Sequence, residues 1–202
     1  MDRLSSQALR LARMLLFGTL LYNVAEGIIS IWAGVKAGSL ALVAFGADSY
    51  IEVSAASVVL WRLGIEDPER GEEAEHKAMR FIGCTFILLA AAVVAQSGIS
   101  LYQGQGAQES LVGIGLALAS VVIMPAIALG KLRIATRHGI PVLAAEAKET
   151  LACTFLSVTL LIGLVANATL GWWWLDSATA LALTPWLLKE GLEGIRGEGE
   201  HD

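Results

Sequence analysis

Four side chains that could bind a metal ion lie at matching spacings in two strongly apolar stretches. Asp48 and Glu52 are four residues apart, and so are Glu149 and Cys153. In a helix, this spacing places both members of a pair on the same face. Carboxylates and thiolates are ligands of divalent cations, and a thiolate shifts the preference toward Zn²⁺, Cd²⁺ or another softer ion. The two pairs are therefore candidate halves of one four-ligand metal site.

The stretches that carry these residues have the composition of membrane-spanning helices. Of the 202 residues, 55% are hydrophobic and 16% are charged, whereas a soluble domain carries about 25% charged residues. The apolar residues fall into blocks of about 20, the length that crosses a hydrocarbon core of roughly 30 Å. The sequence predicts an all-α polytopic membrane protein with six transmembrane helices, over residues 14–33, 39–61, 81–102, 110–130, 142–166 and 172–190.

The positive charges indicate how these spans are oriented. Lysine and arginine concentrate before the first span, in connections 62–80 and 131–139, and after the sixth span, whereas the other three connections hold only Lys36. Because these residues favour the cytoplasmic side, both termini are expected in the cytoplasm. We expect residues 1–192 to form one six-helix domain in the inner cell membrane and 193–202 to form a polar disordered tail.

Carboxylates deep inside such spans need a physical explanation. Glu26, Asp48, Glu52 and Glu149 all lie there, and a charge at the centre of a membrane helix costs about 2.5–3.5 kcal/mol. Asp48 is nine residues from the nearer end of its span, or about 14 Å at the rise of a helix. Its short side chain cannot reach the membrane surface. These groups must therefore face the bundle interior, water, a partner or a metal ion.

The predicted orientation of spans two and five brings the two pairs to one level. Span two runs from outside to inside and span five runs back, so packing them together places Asp48 nearer Cys153 and Glu52 nearer Glu149. Two alternatives stay open at this point. The carboxyl groups could be protonated and hydrogen-bonded to neighbouring helices, and Cys153 could be a small apolar packing residue.

Three further polar residues are candidates for supporting roles. Asn23 and Glu26 are three residues apart on one face of span one, where they could form a second shell, a pathway or an interhelical hydrogen bond. Glu146 lies near the inner end of span five, close to Lys148. A role in the access path and a role in an ion pair are equally compatible with its position.

At these residues the sequence resembles the cation diffusion facilitator family. "GSLALVAFGADSYIEV" is similar to the family's span-two pattern and places Asp48 and Glu52 at its two acidic positions. "EAKETLACTFLSVTLLIGL" is similar to the span-five pattern, with Glu146 at the early Asp, Glu149 at the His and Cys153 at the later Asp. The resemblance is to a short bacterial branch expected to lack the family's cytoplasmic C-terminal domain.

The resemblance implies a transporter that exports a divalent cation from the cytoplasm in exchange for protons, with Zn²⁺ favoured over Cd²⁺, Co²⁺, Fe²⁺ or Mn²⁺. The metal and the protons are then substrates, no cofactor is bound permanently, nucleic acid is not a partner, and a homodimer in the bilayer is the implied assembly. Neighbouring buried carboxylates disfavour one another's full ionisation, so a bound metal must displace protons.

Two other classes of function are alternatives to transport. The first is a non-transporting membrane subunit, metal-sensing or partner-binding, that retains the transporter fold. The second is a membrane enzyme, and the sequence shows neither a nucleophile–base constellation nor a phosphate-binding loop. The sequence therefore favours a transporter over a non-transporting subunit. A membrane enzyme is the least favoured of the three.

Overall fold

Long helices make up almost all of the part of the chain that the computed structural model describes, which is residues 6–65, 67–104 and 111–196. The six helices in these ranges are α1 (Ser6–Ala37), α2 (Leu40–Arg62), α3 (Pro68–Gln103), α4 (Leu111–His138), α5 (Pro141–Leu170) and α6 (Leu175–Arg196). Each contains most of one predicted span.

Five of the described helices, α1 to α5, are long and apolar enough to cross a membrane. Helix α6 has 22 residues but is less hydrophobic, because its second half carries Lys189, Glu190 and Glu193. It packs along α3 and α5, within the same bundle as the other five. The chain is thus an all-helical polytopic membrane protein, as the sequence predicts. The cytoplasmic placement of both termini stays a prediction.

Several helices extend beyond the predicted spans. Helix α3 starts at Pro68, where the Asp67 carboxylate accepts a hydrogen bond from the Arg70 amide at 2.9 Å and caps the helix. Helix α6 continues to Arg196, so the tail predicted over 193–202 begins as helix, and residues 197–202 lie outside the described part of the chain.

Residues 131–138, which the sequence places in a connection between spans four and five, continue helix α4. Helix α4 continues to His138, and Lys131, Ile134 and Ala135 are buried along one of its faces. Positions i, i+3 and i+4 form a single stripe on a helix. The buried face of α4 therefore runs on past the charged residue, which takes Lys131 into the bundle.

The helix contacts place α2 and α5 side by side near the centre of the bundle. Helix α2 also packs against α1 and α3, and α5 packs against α3, α4 and α6. Along α2, the buried apolar residues fall in two groups, Leu42 and Phe45 toward its start and Ala55 to Leu63 toward its end. Asp48 and Glu52 lie between these groups, so apolar packing flanks the polar residues on both sides.

Candidate metal centre

The structure brings the two predicted pairs together between α2 and α5. Asp48 is 5% exposed, and Glu52, Glu149 and Cys153 are 1% exposed each. Cys153 lies within electrostatic range of Asp48, and Glu149 lies within electrostatic range of Glu52. This is the antiparallel pairing expected from the orientation of the spans. We call these four residues the acid–thiol cluster.

The cluster contains carboxylate oxygens that no protein group satisfies. Among the described residues, Asp48 Oδ2, Glu52 Oε2 and both oxygens of Glu149 are buried without a hydrogen-bond partner. Thr85 lies near Glu149, but its hydroxyl donates to the Ile82 carbonyl at 2.6 Å. Buried polar atoms are normally paired, because an unpaired one loses its hydration without compensation. Protons or a bound cation would compensate such oxygens.

A hydrogen bond from a neighbouring side chain holds one oxygen of the Glu52 carboxylate. The Thr150 hydroxyl donates to Glu52 Oε1 at 2.5 Å, and Oε2 has no partner among the described residues. Thr150 lies next to Glu149 in α5, so this bond ties α2 to α5 at the level of the cluster. The free oxygen of Glu52 is the one available to a ligand.

A cavity of about 240 Å³ leads to Asp48. It is lined by residues between 41 and 51 of α2, 89 and 96 of α3, 156 and 160 of α5, and by Ala180 of α6. Among the described residues that line it, Asp48 alone is ionisable. Apart from this carboxylate the walls are mostly apolar, so Asp48 is the group in the cavity that would attract a cation.

The cluster is not a closed coordination sphere in this conformation. In the described ranges, no three Asp, Glu, His or Cys side chains converge closely enough to hold one metal ion. Cys153 interacts with Asp48, and the Thr150 hydroxyl donates a hydrogen bond to Glu52. The structure therefore brings the predicted residues into one neighbourhood and leaves their role as ligands a prediction.

Asn23 and Glu26 are buried residues of α1, the helix that packs against α2. Glu26 accepts hydrogen bonds from the Tyr22 hydroxyl and from the Ser49 hydroxyl, each at 3.1 Å. The Asn23 amide donates to the Thr19 carbonyl at 3.1 Å. The bond from Ser49 is an interhelical hydrogen bond between α2 and α1, one of the roles expected for Glu26. Glu26 also lies within electrostatic range of Asp48.

Glu146 forms a buried ion pair that sequence reasoning did not assign. Its Oε1 accepts from Lys131 Nζ at 2.6 Å, and both side chains are completely buried. Lys148, the neighbour considered in the sequence, instead pairs with Glu190 of α6 at 2.7 Å. The apolar stripe of α4, which continues past Lys131 to Ile134, is the signal that could have placed Lys131 inside the bundle.

The fold and this site define a class, helical membrane proteins with a buried acidic cluster between two antiparallel central helices. The family profile described as "Cation efflux transmembrane domain" matches residues 16–197. This match spans most of the chain, which therefore belongs to the cation efflux family and is a membrane cation transporter by family. No curated protein matches the sequence.

Proposed function

We propose that this protein exports a divalent cation of the Zn²⁺ type across the inner cell membrane, in exchange for protons, through the acid–thiol cluster. The observation that carries the proposal is the set of buried, unpartnered carboxylate oxygens on Asp48, Glu52 and Glu149, of which Asp48 lines a cavity. Cation binding compensates such oxygens, and the thiol of Cys153 favours Zn²⁺ and Cd²⁺ over harder ions.

The position of the cavity suggests which side of the membrane the site faces. Its walls come from the first half of α2, the second halves of α3 and α5, and the first half of α6. With both termini in the cytoplasm, all these segments belong to the outer half of the bundle. The conformation is then one that opens outward, in which an exported ion would leave from Asp48.

The opposite half of the bundle is closed by packed side chains. Val59 of α2, Ile82 of α3 and Leu143 of α5 belong to one buried apolar cluster there. An ion arriving from the cytoplasm would need this packing to separate while the outer cavity closes. Alternating between the two arrangements would carry the ion across without an open pore.

Proton exchange follows from the chemistry of the ligands. A metal ion binds ionised carboxylates and a thiolate, so any proton held by the cluster must leave when the ion arrives. Without a cation, the apolar surroundings disfavour the state in which all three carboxyl groups and the thiol are ionised. The metal-free cluster therefore carries protons, and each transport cycle returns some of them inward.

A flux assay tests this proposal. The purified protein is reconstituted into vesicles that contain a pH-sensitive dye, and Zn²⁺, Cd²⁺, Co²⁺, Fe²⁺, Mn²⁺ and Mg²⁺ are supplied in turn. We expect Zn²⁺ and Cd²⁺ to move fastest, with a proton flux in the opposite direction that vanishes in protein-free vesicles. Metal binding without flux would contradict transport and support the non-transporting subunit, and metal flux without a pH change would contradict proton exchange.

A further inference from the structure

A buried lysine lies beside the acid–thiol cluster and is connected to it by hydrogen bonds. Lys131 is 0% exposed. Its ammonium group donates to Glu146 Oε1 at 2.6 Å and to Thr150 Oγ1 at 2.8 Å. Thr150 in turn donates to Glu52 Oε1 at 2.5 Å. One hydroxyl group therefore separates the Lys131 ammonium group from a carboxylate of the cluster.

The chemistry of the donors and the distances decide how these hydrogen bonds run. An ammonium group has only donors, so Thr150 accepts from Lys131. The single proton of Thr150 has two acceptors within reach, Glu52 Oε1 at 2.5 Å and the Glu146 carbonyl oxygen at 3.3 Å, and the shorter contact is to Glu52. A donor that is itself polarised by a cation makes a stronger hydrogen bond. Lys131 thus acts on Glu52 through Thr150, as well as through space.

Stability alone does not explain a buried ion pair that is also hydrogen-bonded to the acid–thiol cluster. Moving two charges into an apolar interior costs more than their attraction returns in many proteins, and apolar replacements are often as stable. Glu146 also keeps an oxygen, Oε2, without a partner in the described ranges. Glu146 and Lys131 join α5 to α4, so the charge of Lys131 lies against the same helix that carries Glu149 and Cys153.

We propose that Lys131 is a tethered counter-cation of the transport site, which stabilises the metal-free carboxylates and competes with the transported ion for them. It is a positioning residue, since it reaches Glu52 through Thr150. This inference rests on the proposed transport function. The effect of Lys131 on cation affinity has one direction, because a positive charge near the site repels a divalent cation and a negative charge attracts it.

Two single variants give opposite expected results. Lys131→Met removes the positive charge and leaves Glu146, so the apparent KM for Zn²⁺ falls by about tenfold. Glu146→Gln leaves the positive charge without its partner, so the KM rises by about tenfold. Each variant leaves one buried charge unpaired, so both carry a similar penalty in folding. The measurement is the Zn²⁺ dependence of flux in vesicles, with the unmodified protein in parallel.

The outcomes separate this inference from the transport proposal. If the unmodified protein moves no metal, transport itself is contradicted. If it transports and both variants shift KM in the same direction, or lower only the maximal rate, the counter-cation role is contradicted.

A second pair of variants tests the inference even if Lys131→Met or Glu146→Gln does not accumulate in the membrane. Thr150→Val keeps the ion pair and removes the donor to Glu52, so one carboxylate oxygen is freed and KM falls about threefold. Thr150→Ser retains the hydroxyl and serves as the matched control, with KM unchanged. Equal KM values for the two variants contradict the inference.

Discussion

Replacing Asp48 by alanine abolishes metal flux, and we expect at least about a hundredfold loss of transport rate. Asp48 is the ionisable side chain among the described residues that line the cavity, and it lies within electrostatic range of Cys153. Changes in groups that merely support a metal ligand cost about 10–100-fold, so loss of a ligand costs at least as much. Asp48→Asn, which keeps the shape and removes the charge, gives the same result. The measurement is initial Zn²⁺ flux in reconstituted vesicles, normalised to the amount of folded protein.

The matched control for Asp48 is an exposed carboxylate. Glu73 pairs with Lys77 on the surface of α3 at 2.7 Å, and both side chains are more than half exposed. Glu73→Gln therefore makes the same chemical change away from the site, and we expect normal flux. Near-normal transport by Asp48→Ala would refute the assignment of the site while leaving membership of the family untouched.

Replacing Gly83 by alanine lowers the stability of the fold by about 2 kcal/mol. A Cβ atom at Gly83 would lie 2.7 Å from the Gly191 carbonyl oxygen and 2.7 Å from the Ile195 amide nitrogen. These are backbone atoms of α6, which cannot move aside as a side chain can. Helices α3 and α6 must separate, and a thermal unfolding curve of the purified protein in detergent measures the loss.

The control for this substitution lies in the same helix. A Cβ atom at Gly98 of α3 meets nothing within 4 Å, and alanine favours a helix over glycine by about 1 kcal/mol. Gly98→Ala should therefore leave the melting temperature unchanged or raise it. Equal melting temperatures for the two variants would show that the close approach of α3 and α6 does not limit stability.

Much of the fold was predictable because membrane helices have a strong compositional signal. All six predicted spans overlap helices of the structure, since each carries a long apolar block. The pairing of Asp48 with Cys153 was also predictable, because i,i+4 spacing and antiparallel orientation together fix which residues meet. The membrane character follows from the apolar blocks, the family follows from the resemblance of spans two and five to its motifs, and the family match confirms that resemblance.

The polar residues around the site were less predictable from the sequence. Hydropathy ends a span at the first charged residues, so it placed Lys131 just beyond span four, whereas the structure pairs it with Glu146 inside the bundle. A single sequence does not show which charge lies opposite which. Helix α6 has a lower hydropathy because its second half is charged, and the partner of Glu190 in that half, Lys148 of α5, was likewise not predicted.

Cadmium binding followed through its bond to sulfur tests the central claim most directly, because Cd²⁺–thiolate coordination gives an ultraviolet charge-transfer absorption. The described chain has two free cysteines, exposed Cys84 and buried Cys153, so the titration uses a Cys84→Ser background. We predict an absorption that saturates at about one Cd²⁺ per chain, as a single four-ligand site requires. It should vanish with Cys153→Ser and weaken with Asp48→Asn. An absorption that is absent in the Cys84→Ser background, or that persists after Cys153→Ser, would contradict a metal site at the acid–thiol cluster.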